Sequence, residues 1–157
     1  MLPDIAPVYD RIAITLVEAA DVAGVTRPFL RSRAHYWDEL TVHWVSLESV
    51  RGLVREAEFR PWLAAFNEAG RRIDGRSLGY MPTDNPIAYS FVSCSLRDAA
   101  DRTGVSEQTL MDAIQTGYLA AHRAGAKQGR WILRAEDLDA WVKSLPTERR
   151  DERWSGY

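Results

Sequence analysis

The sequence predicts a mainly α protein with small β wings, organised as two tandem modules joined by a helical and loop connector. Three observations carry this prediction. One pattern occurs twice, with Leu16, Ala19, Ala20, Gly24, Val25 and Leu30 each lying 80 positions before Leu96, Ala99, Ala100, Gly104, Val105 and Leu110. Each copy carries two helix-start signals separated by a glycine. The second copy then runs through a short strand-like alternation and closes on a stretch with helical apolar spacing.

The elements follow in order. Thr15-x-x-Glu18 and Ser95-x-x-Asp98 place a hydroxyl at the N-cap and a carboxylate three residues on, which satisfies free backbone N–H groups at a helix start. Ala19-Ala20 and Ala99-Ala100 let a second helix cross closely. Gly24 and Gly104 fall where the chain must turn sharply, and glycine adopts a positive φ without steric cost. Thr26 and Ser106 cap the next helix, and Pro28 sits in its first turn, where a missing N–H costs little. Leu30 and Leu110 point back to the core. Two short helices joined at a glycine have helix-turn-helix spacing, in which the second helix enters a DNA major groove.

The first module spans 12–60. Val50, Leu53, Val54 and Ala57 have helical spacing over 47–58, Pro61 interrupts, and Trp62, Leu63, Ala65 and Phe66 predict a second short helix to Ala69. The connector, 61–90, is rich in turn residues from Gly70 to Gly79 and from Met81 to Pro86. The second module spans 91–146. Gly117 ends its second helix, Tyr118 to His122 reads as a strand, 124–129 as a tip, and Trp131 to Leu133 as the returning strand. Leu138, Trp141 and Val142 form the apolar face of a helix that ends before Pro146. Residues 147–157, with mixed charges, form a flexible tail.

Residues 95–145 resemble the excisionase-like, MerR-type winged-helix domain. The resemblance rests on Ala99-Ala100, Gly104-Val105-Ser106, Thr109-Leu110, Gly117-x-Leu119, Gly129-Arg130-Trp131 and Asp137-Leu138-x-Ala140-Trp141. Residues 14–58 look like a degenerate copy with a short wing: setting Glu48-Ser-Val50 against Glu136-Asp-Leu138 raises the offset from 80 to 88, so about eight residues of wing are missing. The resemblance implies a double-stranded DNA partner and a non-enzymatic role as a transcription regulator or recombination directionality factor. It also implies that an integrase, a toxin or a polymerase could be a protein partner.

The formal charge is −2, so DNA binding must rest on where the cations lie. The second helix of the first copy carries Arg27, Arg31 and Arg33. Its counterpart in the second copy has no basic residue and offers Ser106, Gln108, Thr109 and Gln115, while the following wing offers His122, Arg123, Lys127, Gln128 and Arg130. One copy would thus supply a helix for the major groove and the other a wing for backbone or minor groove. Arg71, Arg72 and Arg76 either track phosphates or stay solvated, and the stem of Arg130 could simply cover Trp131. The competing reading is a protein-interaction module, such as an antitoxin or adaptor, favoured by the net acidity and by Glu107 and Asp112.

The six tryptophans are mainly core anchors for small modules that pack together or on the connector. A single cysteine, Cys94 in an apolar run, excludes an internal disulfide and a multi-cysteine zinc site. His35, His43 and His122 match no metal-ligand spacing, and no nucleophile motif or phosphate-cradling loop occurs, so neither cofactor nor metal is expected. No apolar run is long enough to span a membrane and no signal pattern opens the chain, which places the protein in the cytoplasm. No dimerising coiled coil follows the second copy, so a monomer or weak dimer is expected.

Overall fold

A computed structural model describes residues 8–45, 52–69, 76–80, 88–125 and 129–147. Its local geometry starts from the caps. In α1 (Leu16–Ala23) the Thr15 hydroxyl accepts from the Glu18 N–H while the Glu18 carboxylate accepts from the Thr15 N–H, so the capping box closes in both directions. In α4 (Leu96–Thr103) Ser95 accepts from the Asp98 N–H at 3.2 Å. Gly24 and Gly104 end these helices at φ 71° and 76°, the left-handed region that an L side chain enters only at a cost. Thr26 and Ser106 then cap α2 (Arg27–His35) and α5 (Glu107–Gln115). Leu30 and Leu110 are fully buried where each helix pair crosses.

The same succession of elements occurs twice. Strand β2 (Ala13–Thr15) precedes α1, and β3 (His43–Trp44), β4 (Gly52–Arg55) and α3 (Glu56–Glu68) follow α2. Correspondingly, β6 (Ser93–Ser95) precedes α4, and β7 (His122–Arg123), β8 (Trp131–Arg134) and α6 (Ala135–Ser144) follow α5. The antiparallel sheets have matching orders, β2-β4-β3 and β6-β8-β7. A further pair, β1 (Val8–Tyr9) and β5 (Ala88–Tyr89), runs parallel. Six helices with these small sheets make a mixed α/β fold among the described residues.

Several expectations change here. Residues 45–51 separate β3 from β4 and 124–130 separate β7 from β8, stretches of equal length, so the spacing between these strands is not eight residues shorter in the first half. The misreading came from Leu53 and Val54. Residues 52–55 are buried throughout, and a short apolar run of this kind is equally compatible with helix and strand. Residues 52–55 are therefore strand, where helix was expected over 47–58; Glu48 to Val50 lie outside the described residues. Trp62 and Trp141 then fall at equivalent places in α3 and α6, both buried.

Pro61 does not divide α3, which runs unbroken through residue 60 and into the expected connector. An interior proline costs roughly 3 kcal/mol, and the aromatic stack of this helix opposes that cost. The Trp62 and Phe66 rings lie 4.9 Å apart and nearly parallel, with Phe59 6.0 Å from Trp62, all three fully or almost fully buried. In the second half the strand expected over 118–122 is reduced to His122–Arg123. Tyr118 and Leu119 instead donate to the Ala113 carbonyl and finish the C-terminal end of α5.

The core has two centres that share walls. Leu16, Leu30, Trp44, Val54, Trp62 and Phe66 belong to the first, and Leu110, Leu119, Leu133, Leu138 and Trp141 to the second. Ile12, Ala13 and Leu53, from the first half, lie in the second centre. Backbone bonds reinforce that junction: the Ile12 N–H donates to the Arg102 carbonyl at 2.8 Å and the Trp44 N–H to the Pro146 carbonyl at 2.7 Å. Across it, Arg55 grips Asp139 with two bonds of 2.8 and 2.9 Å.

Candidate nucleic-acid interface

Each expected contact residue among the described ones has a definite place. Arg27 and Arg31 lie one turn apart on α2, Arg27 exposed and Arg31 half-buried. Both line a cleft of about 320 Å3 with Thr15 at the end of β2, Val17 and Glu18 of α1, Gly52 of β4 and Gly104 from the second half. The Glu18 carboxylate in this cleft is held by Arg11 at 2.5 and 3.2 Å. That bond, with the capping bonds, holds the Glu18 carboxyl below the usual range.

Arg33 is a correction. It is 2% exposed and faces inward, so it offers nothing to a nucleic acid. Its guanidinium lies over the Phe29 ring at 4.9 Å and pairs with buried Glu39 at 3.4 Å. It also donates to the Arg76 carbonyl. Arg76 therefore belongs to a docked segment by its backbone; Arg71 and Arg72 lie outside the described residues.

On α5, Ser106 and Thr109 are occupied locally. The Ser106 hydroxyl caps the helix through the Thr109 N–H at 3.1 Å and bonds the Thr109 hydroxyl at 2.9 Å. Gln108 donates to Asp112 at 2.9 Å. Glu107, Gln108, Asp112 and Gln115 are exposed, so this helix presents an acidic and amide surface. On the wing, His122, Arg123 and Arg130 are exposed, while Lys127 and Gln128 lie outside the described residues. The arginine that lies over Trp131 is Arg123, its cross-strand partner, at 4.3 Å, a place that the sequence offered to Arg130 only as the alternative to a DNA contact. A cation–π contact of this kind holds the guanidinium over the indole face.

Sequence reasoning missed the buried polar groups. Glu39, Arg33, His43, Arg55 and Glu56 are all at most 3% exposed. A signal existed for Glu39 and Arg33: the repeat sets them against Leu119 and Ala113, apolar positions in the second copy. A charge where the sister position is core marks a paired, buried ion. His43 has its Nδ1 3.4 Å from the Leu145 carbonyl, and its Nε2 is buried with no hydrogen-bond partner among the described residues. Burial holds this imidazole below its ordinary pKa, against the opposing pull of Glu58. Cys94 is half-buried, and desolvation raises its thiol to about 11.

Among the described residues no group of three or more His, Cys, Asp or Glu is placed to hold a metal ion. None of the helices described is long and apolar enough to cross a membrane.

Comparison with protein families matches residues 94–146 to the family described as Helix-turn-helix domain. The matched span begins in β6 and ends just after α6, so it covers both helices and the sheet β6-β8-β7. Comparison with curated proteins and with solved structures gave no match.

Proposed function

We propose that the protein is a sequence-specific, non-enzymatic DNA-binding protein of the cytoplasm, made of two tandem winged helix-turn-helix modules. The observation that carries this reading is the helix-turn-helix match over residues 94–146, laid on a helix pair joined at a left-handed glycine and closed by a three-stranded sheet. The same order of elements over residues 13–68 supports a second module. The work divides between them. Helix α2 enters a major groove with Arg27 and Arg31, and the β7–β8 wing meets backbone or minor groove through His122, Arg123, Lys127 and Arg130. The resemblance to excisionase-like and MerR-type domains favours a transcription regulator or a recombination directionality factor.

The acidic face of α5 favours a second reading, in which that module holds a protein partner such as a toxin, an integrase or a polymerase. Glu107 and Asp112 stand exposed where a recognition helix would face phosphates.

Selection of bound fragments from random DNA tests the first reading. The expected product is an asymmetric site with two short elements about one helical turn apart, since grooves recur at that interval. Arg27→Ala or Arg31→Ala should weaken binding to that site by about 1–3 kcal/mol, the range of a good base contact. No enrichment, even at low salt, would overturn DNA binding and leave the protein-partner reading.

A further inference from the structure

The buried Glu39 carboxylate ties together segments far apart in sequence. Oε1 accepts from the Trp62 indole N–H on α3 at 3.2 Å. Oε2 accepts from the Leu78 N–H at 2.7 Å, from the Ser77 hydroxyl at 3.3 Å and from the Arg33 guanidinium at 3.4 Å. Arg33, in the last turn of α2, also donates to the Arg76 carbonyl. Residues 76–80 are thereby strapped onto the first half, with Leu78 and Tyr80 packed against its core.

A buried ion pair is a poor device for stability alone, because desolvation offsets much of the attraction and an apolar pair of similar volume often does as well. The chain contains its own control. At the equivalent places the second half has Ala113 and Leu119, both buried, and needs no ions there. What the ionic version adds is direction: Arg33 ties the end of α2 through two contacts, and three more hold its partner Glu39 to α3 and to the strap.

We propose that Glu39 is a positioning residue for DNA reading, which holds the recognition helix α2 to the strap 76–80 through Arg33. This rests on the reading of α2 as a groove-entering helix. Nine residues of helix span roughly 13 Å. A tilt of about 10° at the anchored end would carry Arg27, at the other end, by about 2 Å, far outside the distance range of a hydrogen bond.

The test replaces the ion pair by apolar residues, as the second half has it. Arg33→Met with Glu39→Leu should fold, with a lowered thermal midpoint, because the Trp62 indole N–H and the Leu78 N–H lose their acceptor. It should bind the selected DNA site about tenfold more weakly and discriminate less against mismatched sites. In an Arg27→Ala, Arg31→Ala background the same change should alter affinity by less than about twofold, because the arginines it positions are gone. Unaltered binding by the folded double variant would overturn the proposal, and so would an equal loss in both backgrounds. Should that variant fail to fold, Ser77→Ala, which removes one strap donor, takes its place. It should weaken binding two- to threefold only when Arg27 and Arg31 are present, and an equal effect in both backgrounds would again overturn the proposal. Failure of the unaltered protein to select any site strikes instead at the DNA reading beneath it.

Discussion

Gly104→Ala tests the contact that joins the two halves. Gly104 has φ 76°, and a Cβ there would lie 3.1 Å from the Thr15 Cγ2, 3.4 Å from an Arg11 guanidinium nitrogen and 3.6 Å from the Glu18 Oε1. Left-handed backbone costs an L residue about 1–2 kcal/mol. The added carbon must also push Thr15, whose hydroxyl caps α1, and a disturbed N-cap costs roughly 0.5–2 kcal/mol. The expected loss is therefore about 2–3 kcal/mol. Gly117 provides the control, with φ 85° and nothing within 4 Å of a built Cβ, so Gly117→Ala should lose only the backbone cost of about 1–2 kcal/mol. Urea unfolding followed by tryptophan fluorescence and circular dichroism measures both. Thr15→Ser keeps the capping hydroxyl but removes the methyl, so in its background the excess cost of Gly104→Ala should disappear. Equal losses for the two glycines, or no rescue by Thr15→Ser, would refute the packing of the Gly104 turn on the start of α1.

The Arg55–Asp139 pair is nearly buried, with side chains 3% and 16% exposed. Asp139→Ala should cost about 3 kcal/mol by leaving Arg55 short of a partner, and adding Arg55→Met should recover part of it; a double-mutant cycle in urea checks this. For His43 the sign follows from its lowered pKa. The folded state binds the proton less readily than the unfolded state, so stability is full above the ordinary imidazole value near 6.5 and falls as pH drops below it. The charges of Glu58 and Asp139 oppose that shift and the charge of Arg55 adds to it. His43→Gln should flatten the thermal midpoint between about pH 7 and pH 5, and an unchanged profile would remove His43 from the account.

The caps and turns were legible in the sequence because they depend on residues within a few positions of one another. Thr15, Glu18, Gly24, Thr26 and their counterparts Ser95, Gly104 and Ser106 do in the structure what local chemistry requires of them. The β4 strand was hidden because Leu53, Val54 and Ala57 satisfy a helical spacing, and only pairing with β2 and β3 shows which period applies. Pro61 misled in the same way: the burial of Phe59, Trp62 and Phe66 outweighs a local preference that the sequence displays more openly. At the candidate site, Arg27 and Arg31 could be placed on one helix face from their spacing. Arg33 could not be placed by spacing alone: its signal lay in the match to Ala113 in the second copy, and its burial is completed by Glu39 and by a strap more than forty residues away. The parallel pairing of β1 with β5 left no mark on either two-residue segment.

The sharing of Ile12, Ala13 and Leu53 with the second core has a consequence for the order in which the chain is finished. A growing polypeptide leaves the ribosome N-terminus first, and domains ordinarily fold as they emerge. Here the strands β2 and β4 meet part of their packing surface only after residues beyond 89 have been made, and Arg55 must wait for Asp139. The early half therefore passes through a period with apolar strand surface open to water, and its closure is a late event set by long-range contacts. Chaperones that recognise extended apolar segments would meet the first half in that interval.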